Sequence, residues 1–173
     1  GGECLYTLSS MFVKNERKLE QLMQDWCKYY DPHRKKNNHV TYFYDATAKF
    51  RAYASEQQRD FKDIVITILQ RHGWDVTAVD MGTPMEHEAK FHDINEGLSE
   101  TGRLSVRFNE ENNQDLIVAL EHATIKVGFA GFKKDKGGEK CPETETDPLE
   151  LRTDGTDAWD VLYLGCLYYR NNI

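Results

Sequence analysis

At 173 residues, 39% hydrophobic and 12% aromatic, the chain is long enough to bury a sizeable core and is read as a single domain over residues 1–173. Its net charge of −7 excludes an all-over basic coat for nucleic acid but suits an acidic metal site, so charge neither makes nor excludes a DNA partner. Cys4, Cys27, Cys141 and Cys166 lie too far apart for zinc spacing or a disulfide framework, and no apolar run or signal peptide is present, which points to reduced thiols, no membrane partner and a cytoplasmic location.

The opening Gly1-Gly2-Glu3, without Met, reads as an excised piece carrying a residual tag glycine. Cys4 to Val13 has strand character, with Leu5 and Thr7 on one face and Tyr6 and Leu8 on the other. From Asn15 to Tyr30 the spacing of Leu19, Leu22, Met23, Trp26 and Tyr30 predicts a helix that Asp31-Pro32 ends, followed by a solvated basic loop from His33 to Asn38. Val40 to Tyr44 is a strand with Asp45 at its carboxyl end and small residues after it. In an open α/β sheet that rim collects ligands, although a strand-terminal Asp also serves simply to cap a turn.

Lys49 to Ala54 is expected to be extended. Ser55 to Gln58 reads as a capping box for a helix with Phe61, Ile64, Val65, Ile68 and Leu69 on its buried stripe, closed by Gly73. Trp74 to Val79 returns as a strand, and one crossover helix requires that it run parallel to the first, so Asp45 and Asp80 share a rim. Thr83 to Glu86 is a second capping box, with Pro84 at the first helical position and His87, Phe91, Ile94 and Leu98 on one face. A His in that row is first a hydrogen-bonded core or edge residue and only second a metal ligand.

After Gly102, Leu104, Val106 and Phe108 alternate in a strand, and Asn109 to Asn113 turns into a helix bearing Leu116, Ile117 and Leu120. Residues 125–140 form a glycine-punctuated ribbon or hairpin carrying Lys126, Lys133, Lys134, Lys136 and Lys140, a basic arm that suits a phosphate backbone or a solvated loop. Residues 141–150 are an acidic linker. The last helix, from about Thr156 to Tyr169, has Trp159, Leu162, Tyr163 and Cys166 on its core side. Asp154 precedes it, and Asp157 and Asp160 stand three apart near its start, where acids also favour the helix dipole.

The YFYDATA strand, the helix ending in GW, the GFKKDKGGEK arm and the TDGTDAWD helix together resemble the carboxyl-terminal nuclease domain of the large terminase subunit of tailed phages and prophages, from about Leu5 to the end. The resemblance implies an α/β, RNase H-like mixed sheet flanked by helices, here truncated at its N-terminal strands. It further implies a metal-dependent endonuclease that cuts concatemeric double-stranded DNA with low sequence preference in a bacterial host. Two Mg²⁺ or Mn²⁺ ions about 3.5–4 Å apart would serve the reaction. The partners implied are DNA, an upstream ATPase domain, the portal and the small terminase subunit, and the chain itself lacks a Walker A pattern.

By that resemblance Asp45 matches the acid of the fourth strand and Asp157 that of the final helix, the two catalytic acids and metal ligands. Asp154 stands where relatives often have His and is an auxiliary ligand candidate. Nothing in Gly1 to Val13 matches the family's first acid, so the chain on its own is expected to be inactive. An alternative register makes Asp45 the first acid and Asp80 the second, but too few strands separate them, so Asp80 is kept as a lower-ranked metal-ligand candidate. The competing readings are a non-catalytic RNase H-like protein- or DNA-binding module, whose acids are caps, and a resolvase- or transposase-like nuclease.

Overall fold

A computed structural model of the protein describes residues 2–12, 19–49, 60–128, 131–136 and 154–169. The architecture is α/β: β1 (Glu3–Thr7), α1 (Leu19–Arg34), β2 (His39–Tyr44), α2 (Phe61–Arg71), β3 (Asp75–Asp80), α3 (His87–Leu98), β4 (Leu104–Phe108), α4 (Gln114–His122), β5 (Ile125–Gly128), β6 (Gly131–Lys134) and α5 (Asp154–Tyr169), with short 3₁₀ turns at Ala46–Lys49 and Glu110–Asn112. The described strands pair two by two: β1 with β4 and β2 with β3 in parallel, β5 with β6 antiparallel. No described helix is long and apolar enough to cross a membrane. The chain divides into two compact units, Gly1–Ser10 with Met85–Tyr168 and Met11–Pro84 with Tyr169–Ile173.

The unit built from Met11–Pro84 centres on Cys27, Ile64, Val65, Ile68, Leu69 and Trp74, with Met23, Trp26 and Tyr30 packed against them. The stripes expected on α1 and α2 thus meet, and Trp26 tilts onto Trp74 with ring centroids 5.1 Å apart. Contrary to the expected stop at Asp31-Pro32, α1 runs on to Arg34 with Pro32 inside it. The Asp31 carboxylate accepts from Arg34 at 2.7 Å and from Lys35 at 3.1 Å, which stabilises one more turn. Proline removes only one backbone donor there. The capping box read at Ser55 to Gln58 and the segment after Lys49 lie outside the described residues.

The β2–α2–β3 order gives the expected parallel pair, in a register that sets Tyr44 beside Asp80. Asp45, the next residue, is therefore at the same strand end as Asp80.

In the other unit, Trp159, Tyr163 and Leu164 of α5 are buried together with Ile94, Leu104, Val106, Leu116 and Ala119. Several buried polar groups are paired inside it, although Asn113 Oδ1 has no hydrogen-bond partner among the described residues. Trp159 Nε1 donates to Thr7 Oγ1 at 3.1 Å, and Asn113 Nδ2 donates to the Thr7 and Asn109 carbonyls at 3.0 and 2.7 Å. These bonds fix where β1 ends. The strand read as far as Val13 stops at Thr7, and Ser10 N–H turns to the Asn112 carbonyl instead.

Helix α3 departs from the sequence reading at both its start and its face. It begins at His87 and not at Pro84, and its N-cap Glu86 makes no side-chain capping bond. The Asp80 carboxylate accepts from Gly82 N–H at 2.9 Å, and Gly82 takes φ +72°, so the chain after β3 is held in a turn. Its buried residues are Ile94 and Gly97, whereas Phe91 and Leu98 are exposed. Tyr163 explains the rotation. Its hydroxyl donates to the Asp93 and Leu104 carbonyls, and a Cβ on Gly97 would stand 2.6 Å from its Cζ.

Gly97→Ala is therefore expected to destabilise the protein by about 1–3 kcal/mol through overpacking. Tyr163→Phe should not relieve it, because the ring itself is the obstacle. Urea midpoints of the single and double variants check both statements.

Candidate functional site: an acid and lysine cluster on the last helix

The first turns of α5 carry Thr156, Asp157 and Asp160. Thr156 and Asp160 are one helical turn apart, and Asp157 is three residues from Asp160, so all three present oxygens to one side. Opposite them lies β6, where strand alternation puts Phe132 and Lys134 on the same face. Phe132 meets Phe91 of α3 edge-on, with centroids 4.9 Å apart. That contact holds the hairpin where the Lys134 stem can reach α5.

The Lys134 ammonium donates to Thr156 Oγ1 at 2.8 Å, to Asp157 Oδ1 at 3.1 Å and to Asp160 Oδ2 at 2.6 Å. An ammonium has three N–H donors, and each finds an oxygen. Lys90 of α3 also reaches Asp160 Oδ2, at 2.9 Å, and Lys136 reaches the other carboxylate oxygen of Asp157. Asp160 is 2% exposed and Lys134 15%, against 30% for Asp157 and 44% for Lys136. The cluster thus grades from a buried inner pair to an outer pair open to water.

Burial pushes the Asp157 carboxyl up, but the hydrogen bonds and charges of Lys136 and Lys134 outweigh it, and the net effect holds it below its ordinary value. His87, at the start of α3, is held below its ordinary value by partial withdrawal from water and by Lys90, against a smaller opposite pull from Asp157. Its side chain is exposed.

The basic arm divides into two sets. Lys134 and Lys136 turn inward to the acids. Lys126 and Lys133 stand opposite each other across the hairpin, both exposed, and Lys126 is drawn to Asp135 at 2.7 Å. Like charges placed directly opposite are unfavourable unless compensated. Lys140 lies outside the described residues.

In the other unit, Asp45 Oδ1 accepts from both the N–H and the hydroxyl of Thr47, at 2.8 and 2.5 Å, and so caps the 3₁₀ turn at Ala46–Lys49. Asp80 is paired with Lys49 at 2.5 Å, and its pKa is lowered first by that lysine and then by Gly82 N–H. Asp154 is the first residue of α5. Asp45 and Asp80 thus belong to one unit and Asp154 and Asp157 to the other. Asp160, Thr156 and Lys90 were not singled out from sequence as site residues. The one available signal was the three-residue spacing of Asp157 and Asp160.

Compared with protein-family models, with curated proteins and with solved structures, the chain has no match.

Hard divalent cations take several oxygen ligands, whereas the Asp157 and Asp160 carboxylates are engaged by the ammonium groups of Lys90, Lys134 and Lys136. Among the described residues no three His, Cys, Asp or Glu side chains are grouped closely enough to hold a metal. Among the described residues, Asp157 Oδ2 is held by the exposed ammonium of Lys136.

Because its folded pKa is depressed, Asp157 contributes stability that is fully present above the ordinary value of 3.8 and is lost as pH falls through the lower folded value. Asp157→Asn should flatten the decline in urea midpoint below that pH. A carboxyl titration followed by NMR should find Asp157 titrating below the ordinary Asp range.

Proposed function

We propose that this chain is the nuclease domain of a DNA-packaging terminase of a phage or prophage, an RNase H-like, metal-dependent endonuclease acting on concatemeric double-stranded DNA in the host cytoplasm. The observation that carries this reading is the state of Asp157. It is an ionised carboxylate, partly withdrawn from water at the start of a helix, and it is kept charged by ammonium groups that a divalent cation could replace. The parallel β2–β3 pair with acids at its carboxyl end supports the same reading, since ligands collect at that rim in α/β proteins.

In this reading Asp45 and Asp157 are the ligand acids, with Asp154 and Asp80 as auxiliary candidates. When bound, Mg²⁺ or Mn²⁺ ions would activate water and stabilise the leaving oxygen of the phosphodiester. Lys126 and Lys133, on the exposed face of the hairpin, would contact the DNA backbone without reading bases. The ATPase domain, portal and small terminase subunit are the partners this function calls for.

A second reading is favoured by one observation: Asp45 already has a structural task, capping the turn at Thr47. On that reading the acids are caps and ion-pair partners, and the chain is a non-catalytic binding module.

A plasmid-nicking assay on the full-length polypeptide with Mg²⁺ or Mn²⁺ separates the two. Asp45→Asn and Asp157→Asn should each reduce cleavage by at least a hundredfold while circular dichroism stays unchanged. Cleavage at the parental rate by either variant removes that residue from the ligand set, and no cleavage by the parent protein favours the module.

For DNA binding, Lys133→Ala should lower the log–log salt slope by about 0.9, the amount expected for one phosphate contact. An unchanged slope assigns the outer face of the hairpin to solvent.

A further inference from the structure

We propose that the unit built from Met11–Pro84 carries, where α1 and α2 end, a binding surface for single-stranded nucleic acid. The surface lies at the amino ends of β2 and β3, a strand length of about 20 Å from Asp45 and Asp80. It does not depend on the nuclease reading, and cleavage does not enter its test.

Short connections hold the surface together. Lys36 and Asn37 N–H both donate to the His33 carbonyl, at 2.9 and 3.0 Å, and the Asn38 carbonyl accepts from Asp75 N–H at 2.8 Å. Arg34 lies against the turn between α2 and β3, where a Cβ on Gly73 would stand 3.1 Å from its Nη1. Two helix ends and a loop are thus fixed side by side, which lowers the ordering cost of binding.

The charge of this surface opposes that of the whole chain. Residues 29–39 and 70–75 carry Arg34, Lys35, Lys36 and Arg71 against Asp31 and Asp75, in a protein of net charge −7. Asp31 is taken by Arg34 and Lys35, and Asp75 faces His39. Lys36 and Arg71 are exposed and have no carboxylate partner among the described residues. The helix dipole favours cations in a last turn, which accounts for Arg34 and Arg71 as sequence choices. It has no bearing on the rings that accompany them.

Tyr29, His33 and Lys36 recur at helical spacing, so they form one stripe along α1 and just beyond it. Tyr29 is 47% exposed and meets Tyr30 edge-on, with centroids 4.9 Å apart, while Tyr30 is backed by Trp26 at 4.7 Å. An exposed ring on a rigid aromatic base, beside free cations, suits an unstacked base and its flanking phosphates: Tyr29 takes the base, and Lys36 and Arg71 take the backbone. A duplex keeps its bases stacked inside and offers the ring nothing. The partner is therefore a single strand.

The test is fluorescence anisotropy of a short labelled oligothymidylate with the full-length protein in the presence of a chelator. Tyr29→Leu should weaken binding by about 5- to 150-fold, the loss of one base–ring stack, with the salt slope unchanged. Lys36→Ala combined with Arg71→Ala should lower the log–log salt slope by about 1.4, the amount expected for two single-strand phosphate contacts. All three side chains are exposed, so the variants should keep the parental urea midpoint. No binding by the parent protein, or parental affinity in both variants, would overturn the proposal. So would a loss confined to Lys126→Ala with Lys133→Ala, which would place the strand on the hairpin. Equally tight binding of a duplex, with Tyr29→Leu as tight as the parent, would leave a backbone contact only and overturn the single-strand assignment.

Discussion

Asp160 is the constraint on which the unit around α5 depends. A carboxylate that is 2% exposed has given up nearly all its hydration, and among the described residues the ammonium groups of Lys134 and Lys90 compensate it. Removing one partner of a buried pair costs about 3–5 kcal/mol, because the charge left behind is uncompensated. Its two partners come from different elements, one on β6 and one on α3. The pair therefore ties hairpin, helix and helix together at one point, and the Phe91–Phe132 contact supplies the apolar support beside it.

That tie changes what the basic hairpin can do. A ribbon with lysines along it looks, in sequence, like one positive arm. Strand alternation divides it, since Lys134 shares its face with Phe132 and is drawn inward, while Lys133 points the other way. Lys134 is withdrawn against acids of the same chain, and Lys136, though exposed, is engaged by Asp157. The capacity for phosphate contact left on the described hairpin lies with Lys126 and Lys133, and Asp135 competes for the first of them.

Most elements were legible because their signals are local. The stripes of α1 and α2 and the parallel β2–β3 pair follow from periodicity and from the length of the crossover. The misses arose where side-chain contacts, distant in one case and a single helical turn away in the other, decided a local outcome. Tyr163 chose the buried face of α3 by packing on Gly97, although the apolar spacing of Phe91, Ile94 and Leu98 pointed elsewhere. Asp31 kept α1 going through Pro32 by recruiting Arg34 and Lys35. At the candidate site Asp157 stood out in sequence as the acid that the family resemblance matches on the final helix. Asp160 did not, because its importance comes from burial against Lys90 and Lys134, and no spacing within TDGTDAWD encodes that.

The structural and functional readings of the acids need not compete. Capping at Asp45 uses Oδ1 alone, toward the Thr47 N–H and hydroxyl. A carboxylate offers about four acceptor directions over two oxygens, so an Asp that caps a turn through one oxygen is held in a single rotamer with the other oriented. Asp157 shows the same division by other means, with Oδ1 on the buried Lys134 and Oδ2 on the exposed Lys136. In both cases one oxygen is spent on fixing the side chain, which lowers the entropy still to be lost when the second oxygen takes a ligand. A cap at a strand end is thus a form of preorganisation, so the cap at Asp45, which favours the binding-module reading, does not by itself remove Asp45 from the ligand set. What separates the readings is whether the second oxygen is used, a question that cation binding and cleavage can answer and the capping bond cannot.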